Sequence, residues 1–407
     1  MIALATTAAQ RTRVRSALAV HAGRLRGGAE SPFFQLLKLA EARQGDVITL
    51  GRGEPDIPTP RHIVEAAKKA LDEGQTTYTN PAGMPALREA IAEKLWRDNG
   101  LRYDPATEII VTTGAQEAIA VVMQTILDPD DEVLIASPFY MAYETNIQLA
   151  GGIAVGVPTV EAEDFQMTGA AIESRIGPRT KLLAVVTPSN PTAAALTRGT
   201  LEGIAEVARR RDLAVLSDEL YEKVVYDDFE HVSIASLDGM RDRSIVINGF
   251  SKAYSMTGFR IGYMAGPADY IQACVEPRHS LSISSPTPFQ HAALAALTGP
   301  QGFLAEMMAE YTLRRNMMAA TFDELGVTYS LPRGAFYFWA NVSAAGVPSM
   351  ELCRRAVADH GILFFPGSMY GPEGEGYVRI SYLAPRDQLA VGLERFAAVF
   401  RECQAGA

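Results

Sequence analysis

The sequence predicts an α/β fold with a large domain, built on a mostly parallel seven-stranded sheet covered by helices, and a smaller α+β domain. The middle of the chain alternates short apolar runs with longer helical patterns, which is typical of parallel sheets with helices on both faces. The C-terminal part instead places long helices around short strands. We therefore predict an N-terminal arm with part of the small domain at 1–51, a large domain at 52–295 and a small C-terminal domain at 296–407.

Seven apolar runs predict the strands of the large sheet, in the chain order EIIVTT, EVLIAS, IAVGVP, KLLAVVT, LAVLSD, SIVING and IGYMAG. These runs are continuously apolar, as expected of strands that are buried on both faces. The stretches AQEAIAVVMQTIL and TLEGIAEVARRR predict helices between them. In the C-terminal part, GFLAEMMAEYTLRRNMMAATFDEL and SMELCRRAVADHG predict helices, and AFYFWA and YVRISY predict strands.

Composition and charge narrow the class of protein. The chain has 407 residues and a net charge of −10, which argues against a nucleic-acid partner. No apolar run is long enough to span a bilayer, so we expect no membrane insertion. Cys274, Cys353 and Cys403 are widely spaced, which fits a reducing compartment such as the cytoplasm and argues against a metal site. The arginine-rich segment before Glu30 has the composition of a mitochondrial transit peptide, but we expect a surface arm.

Polar residues follow four of the predicted strands, at the edge where ligands bind to open parallel sheets. Gly114 precedes a helix start at Ala115–Gln116, where free backbone N–H groups suit an anion. Asn190, Asp218 and Lys252 follow or end three other strands. Alone, each has an ordinary interpretation as a turn, a helix cap or a solvated charge. Together they suit a phosphorylated aldehyde cofactor held by the lysine as a Schiff base.

An ordered set of motifs then identifies a family. The motifs are LGRGEPDIPTP, YTNPAGMPALREAI, TTGAQEAI, LDPDDEVLIASPFYMAY, TPSNPT, LSDELYEKVVYD, SKAYSMTGFRIGY, RGAFYFW and YVRISY. With them the chain resembles the class I/II aminotransferases, fold-type I enzymes that depend on pyridoxal 5'-phosphate (PLP) and are similar to aspartate and aromatic aminotransferases. The resemblance implies a homodimer that moves an amino group between an L-amino acid and a 2-oxo acid, through Schiff-base and pyridoxamine phosphate intermediates.

The resemblance also implies roles for individual residues around the cofactor ring. Lys252 would form the Schiff base and then, as the catalytic base, move the proton between substrate and cofactor. Its pKa should be lowered by apolar surroundings and nearby positive charge. Asp218 would keep the ring nitrogen protonated, Asn190 and Tyr221 would bind the ring 3′-oxygen, and Tyr140 would stack on the ring face.

Further implied roles concern the phosphate and the substrate. Ala115, Gln116 and Arg260 would bind the phosphate, and Tyr78 would reach the phosphate held by the neighbouring subunit. Arg379 would clamp the substrate α-carboxylate. The implied substrate-binding set is Gly53, Asn190 and Arg379.

Four positions depart from the family pattern. Ala193 replaces the glycine of NPTG, and Gly249 stands where a phosphate-binding serine is common. Gln116 stands where members selective for acidic substrates have a lysine, which weakens an aspartate preference. Arg333 would either recognise a second carboxylate or lie in solvent, and both interpretations stay open.

The cofactor motifs leave the reaction outcome open. Carbon–sulfur β-lyases and amino-acid oxidases use the same constellation of residues, so they are the main alternative to a transaminase. A regulator fused to a winged-helix domain is disfavoured by the acidic charge and by the absence of a helix-turn-helix pattern. A Rossmann dehydrogenase is disfavoured because no GxGxxG follows the first strand.

Overall fold

The structure is a computed structural model that describes residues 31–43 and 45–406. The expectations for the arginine-rich segment before Glu30 lie outside the described residues. The described α-helices are α1 Pro32–Ala42, α2 Arg61–Asp72, α3 Pro85–Asn99, α4 Ala115–Ile126, α5 Ala142–Leu149, α6 Gly169–Glu173, α7 Arg198–Arg210, α8 Ala268–Ser282, α9 Thr287–Thr298, α10 Gly302–Leu325, α11 Ser349–Ala358 and α12 Arg386–Ala405. Across the described ranges, no helix has the length and apolar character needed to cross a membrane.

The strands form one large and two small sheets. They are β1 Ile48–Thr49, β2 Ile109–Thr112, β3 Glu132–Ser137, β4 Ile153–Pro158, β5 Thr180–Val186, β6 Ala214–Asp218, β7 Ser244–Gly249, β8 Gly262–Ala265, β9 Thr328–Tyr329, β10 Tyr337–Asn341, β11 Ile362–Leu363, β12 Phe365–Pro366 and β13 Tyr377–Ser381. The large sheet has the order β2-β8-β7-β6-β5-β3-β4. Only β8 runs antiparallel to its neighbours, β2 and β7. The predicted mostly parallel sheet of seven strands is confirmed.

Both faces of the large sheet are covered by apolar helices. On β6, Leu216 packs into a cluster with residues of α4, such as Val122. The preceding residue, Val215, packs into a second cluster with residues of α7, such as Leu201. Successive strand residues point to opposite faces, so a strand covered on both sides is apolar throughout. Each fully buried aliphatic side chain contributes about 1.5–3 kcal/mol to this core.

The C-terminal residues build a smaller α+β unit around an antiparallel sheet of order β12-β13-β10-β9. Strand β1 pairs in parallel with β11, and helix α1 packs on α11. The N-terminal part of the described chain therefore packs with the C-terminal part. The exact domain boundaries, 1–51, 52–295 and 296–407, stay a prediction.

Candidate active site

The side chain of Lys252 lies in the turn after β7 and reaches back across the sheet edge. Its Nζ donates a hydrogen bond of 2.5 Å to the carbonyl oxygen of Gly53. The same atom lies 5.9 Å from the centre of the Tyr221 ring. Burial, followed by the positive charges of Arg379 and Arg260, lowers the pKa of Lys252 to about 8. The amine is therefore partly neutral near physiological pH, as a nucleophile or a proton acceptor requires.

Asp218 ends β6 and is buried beside Lys252. The hydroxyl of Tyr143 donates a hydrogen bond of 2.8 Å to one carboxylate oxygen. The backbone N–H of Leu220 donates one of 3.2 Å to the other. Burial raises the pKa of Asp218 because it disfavours the charged form, and the hydrogen bonds from Tyr143 and Leu220 only partly offset this effect. A buried carboxylate with that surplus of charge suits a positively charged N–H group as its partner.

Arg379, on β13, reaches from the small sheet to the edge of the large one. It donates to the Asn190 side-chain oxygen at 2.9 Å and to the Gly51 carbonyl oxygen at 2.6 Å. Its guanidinium lies 4.5 Å from the centre of the Tyr337 ring and 5.2 Å from that of Tyr370. Its Nε–H is buried and has no hydrogen-bond partner within the described chain. The guanidinium is thus held in place with donor capacity left for a carboxylate.

A site for an anion lies at the start of α4. Gly114, at the helix N-cap, has φ of +79°. A Cβ atom there would lie 2.6 Å from Nη2 of Arg260, so only glycine lets this guanidinium lie over the helix start. Arg260 is fixed by a hydrogen bond of 3.0 Å from Nη1 to the Thr257 carbonyl oxygen. The side-chain amide of Gln116 donates to the Tyr140 hydroxyl at 2.9 Å. A helix start beneath an arginine suits a phosphate.

Three other predicted residues occupy contrasting environments. The Tyr221 hydroxyl lies 3.0 Å from the Tyr337 hydroxyl. Gly53 lies against the same Tyr337, and a Cβ atom at this glycine would come 2.3 Å from that hydroxyl. Tyr78 is 75% exposed and does not join the other site residues of its own chain. Its exposure leaves it available to a second subunit.

The structure adds two tyrosines that the sequence analysis missed. Tyr143 supports Asp218, and Tyr337 contacts both Tyr221 and Arg379. The sequence contained a signal for Tyr143, because SPFYMAY carries a second tyrosine three residues after Tyr140. Tyr337 lies in RGAFYFW, whose continuous apolar character indicated only a buried strand.

The positions that depart from the family pattern are also explained in part. Gly249 faces Gly262 on β8, and a Cβ atom at Gly249 would lie 3.1 Å from the Gly262 Cα atom. Ala193 adopts φ of +57°, a conformation in which glycine is favoured. The exposed Arg333 lines a separate cleft with the 192–195 loop and Asp164, away from Lys252.

Comparisons with known proteins identify the family of this chain. The model of the family "Aminotransferase class I and II" matches residues 45–396. The chain is 41% identical to aromatic-amino-acid aminotransferase 2 of Thermococcus litoralis, over 90% of this chain and 95% of the relative. It is also 41% identical to aspartate aminotransferase of Pyrococcus abyssi, over 90% of this chain and 96% of the relative. The solved aromatic aminotransferase of Pyrococcus horikoshii superimposes with a TM-score of 0.86 at 41% identity, covering 90% of this chain and 99% of that one.

The fold is an α/β architecture in which a buried lysine follows a strand of the large sheet. The chain belongs to the class I and II aminotransferase family. It is an aminotransferase, which moves an amino group between an L-amino acid and a 2-oxo acid. Aminotransferases of this kind depend on PLP. The prediction of a transaminase is confirmed, rather than the β-lyase or oxidase alternative.

Proposed function

We propose that this aminotransferase binds PLP between the end of β7 and the start of α4, with Lys252 bonded to the cofactor aldehyde. These residues fit the cofactor. The amine of Lys252 has a pKa of about 8, and within the described chain Asp218 forms no ion pair with a cation. Arg260 lies over the start of a helix. PLP would supply an aldehyde that captures amines and a protonated ring that withdraws electrons. Tyr140 and Tyr221 would contact the ring, Asn190 its 3′-oxygen, and Ala115 and Gln116 its phosphate.

The residues of the site then have separate roles in amino transfer. Arg379 holds the substrate α-carboxylate, with Asn190 and the Gly53 backbone beside it, so the α-carbon faces Lys252. The Lys252 amine would accept the substrate α-proton at its Nζ and then donate it to the cofactor, which a pKa of about 8 permits. Asp218 would hold a proton on the ring nitrogen. The buried aromatic side chains around Arg379 exclude water and so strengthen these charge interactions.

The observation that carries this proposal is the depressed pKa of a buried lysine at a strand end, and replacing that lysine tests it. Lys252→Ala should abolish turnover while the protein still binds PLP non-covalently. Borohydride reduction of the unaltered protein with PLP should add the cofactor mass to the peptide that contains Lys252. Lys68→Ala, which alters an exposed lysine on α2, is the matched control and should keep full activity. Normal turnover by Lys252→Ala would contradict the assignment.

For the amino donor, we propose an L-amino acid with an aromatic side chain. The surroundings of Arg379 are rich in aromatic rings, namely Tyr337, Tyr370 and Phe365. Gln116, where acid-selective members have a lysine, binds the Tyr140 hydroxyl and adds no positive charge. The Thermococcus litoralis relative is named for aromatic amino acids, whereas the equally identical Pyrococcus abyssi relative is named for aspartate, so the two donors are compared directly below.

A panel of half-reactions without acceptor tests this donor class. Phenylalanine and tyrosine should convert the bound cofactor to pyridoxamine phosphate faster than aspartate does, with release of the matching 2-oxo acid. Faster conversion by aspartate would contradict the donor class. Release of ammonia and pyruvate from cysteine-type substrates would contradict the transamination outcome.

We also propose a homodimer in which Tyr78 reaches the phosphate in the neighbouring subunit. The 75% exposure of this tyrosine in the single chain supports the proposal. Light scattering should give twice the mass of one chain, and Tyr78→Ala should weaken PLP binding without dissociating the dimer.

For the location of the protein in the cell, the three buried free cysteines support a reducing compartment, and we propose the cytoplasm.

A further inference from the structure

A fully buried carboxylate, Glu219, follows directly after Asp218. It is 0% exposed, and its Oε1 accepts hydrogen bonds of 2.7 Å from Ser217 and 2.6 Å from Ser233. Nε2 of His231 lies 3.2 Å from its Oε2. Its backbone N–H donates to the Ile247 carbonyl oxygen on β7 at 2.9 Å. A buried carboxylate needs hydrogen-bond partners, and these contacts satisfy both of its oxygens.

Three residues further along, Glu222 ties the same turn to helix α3. It forms an ion pair with Lys94 and accepts a hydrogen bond of 2.9 Å from Asn99. Burial alone would raise the pKa of Glu222, but the charges of Lys94 and other cations outweigh it and lower the pKa to about 2. Oxygens of Glu219 and Glu222 and a nitrogen of His231 lie within 4.8 Å of one another. The Lys94 ammonium is the cation paired with Glu222, and we assign this group no metal.

The turn gathers three buried acidic groups and the cations that face them. Asp218, Glu219 and Glu222 are each at most 8% exposed. Lys94 and Lys223 face Glu222, His231 contacts Glu219, and Lys252 faces Asp218. Tyr103 and Tyr263 also face these acids, but burial raises the pKa of both phenols and keeps them neutral. A negative charge on Glu219 would lower the free energy of a cation beside Asp218.

We propose that Glu219 is a positioning residue for amino transfer. Its hydrogen bonds fix the strand end that carries Asp218, and its negative charge helps to keep the cofactor ring nitrogen protonated. This inference rests on the proposed function, in which Asp218 pairs with that nitrogen. Glu219 touches neither cofactor nor substrate in this arrangement and acts only through Asp218.

Glu219→Gln tests the role of the charge, because it keeps the shape and removes the ionised group. The first measurement is the pH titration of the visible absorbance of Lys252-bound PLP. Loss of a nearby negative charge disfavours the protonated form, so the titration midpoint should fall by about one pH unit. The second measurement is the PLP dissociation constant, which should rise about tenfold by the same estimate. The KM for the amino donor should stay unchanged, because Arg379 is untouched.

Three control variants separate charge from structure. Glu206→Gln, which alters an exposed residue on α7, should match the unaltered protein in every measurement. Ser233→Ala removes a hydrogen bond but no charge, and Glu219→Asp keeps the charge, so both should retain the midpoint. The proposal is overturned if Glu219→Gln leaves the midpoint and PLP affinity unchanged, or if Ser233→Ala shifts the midpoint equally. Absence of a Lys252-dependent absorbance band in the unaltered protein would instead overturn the proposed function, and this inference with it.

Discussion

Replacing Arg379 by lysine should weaken the binding of the substrate α-carboxylate and leave the other steps of the reaction unchanged. The guanidinium uses two separate nitrogens, one toward Asn190 at 2.9 Å and one toward Gly51 at 2.6 Å. It also lies 4.5 Å from the centre of the Tyr337 ring. A lysine ammonium is a single point and cannot reproduce this planar arrangement.

The expected loss follows from the contacts that disappear. One hydrogen bond that involves a charged group contributes about 1.5–3 kcal/mol, and the contact with the Tyr337 ring contributes about 1 kcal/mol. A loss of about 2.5–4 kcal/mol corresponds to a fall in kcat/KM of about 70-fold to 900-fold. The fall should appear only for substrates that carry an α-carboxylate.

The assay is the single-turnover half-reaction with an L-amino acid and with the amine that lacks its carboxylate. Arg379→Lys should strongly lower the rate of the half-reaction with the amino acid and leave the already low rate with the amine unchanged. Arg355→Lys, which alters an arginine paired with Glu351 on α11, is the control and should match the unaltered enzyme. Equal losses for both substrates would refute the assignment, because they would indicate a general disturbance of the site.

Three more predictions concern the cofactor and the sheet. Because burial and Arg379 lower the pKa of Lys252 to about 8, the neutral amine prevails above that pH. Stopped-flow capture of PLP should thus rise through about pH 8 rather than about pH 10.4, and a midpoint near the higher value would contradict this. Tyr143→Phe removes the hydrogen bond to Asp218, so the PLP dissociation constant should rise about tenfold, and an unchanged constant would argue against this support. Gly249→Ser should lower the free energy of unfolding in urea by about 1–3 kcal/mol, because a Cβ atom meets the facing strand. Gly302→Ser, where a Cβ atom meets nothing within 4 Å, is its control, and equal effects would refute the steric argument.

The sequence was most informative where a local strand pattern also indicated the place of a polar residue in the fold. The run LAVLSD predicted both a buried strand and an acidic residue at its end, and β6 ends at Asp218. Parallel strands bring their carboxyl ends to one edge, which is why the sequence predicted Asn190, Asp218 and Lys252 at the same edge of the sheet. The antiparallel direction of the strand IGYMAG could not be predicted, because an apolar run has the same composition in either direction. The antiparallel β8 depends on the short turn from Lys252 to Arg260.

Contacts between distant parts of the chain could not be predicted in the same way. Tyr337 and Tyr221 are separated by 116 positions, and their hydroxyls meet only because the small sheet lies against the large one. The contact of Arg379 with the Gly51 carbonyl oxygen spans 328 positions. Local sequence patterns do not predict such pairs, because each residue fits the pattern of its own strand or loop whether or not its partner lies nearby.

The contacts made by Gly51 and Gly53 bear on how mutations should distribute along this segment. Arg379 and Lys252 bind main-chain oxygens there, so no side-chain replacement removes the acceptors themselves. A replacement at either glycine would instead put a Cβ atom into a neighbouring aromatic side chain, whereas Arg52 between them is exposed. A saturation library across these three codons should therefore alternate between intolerant, permissive and intolerant positions. That alternation would be the genetic signature of a site whose acceptors belong to the peptide backbone.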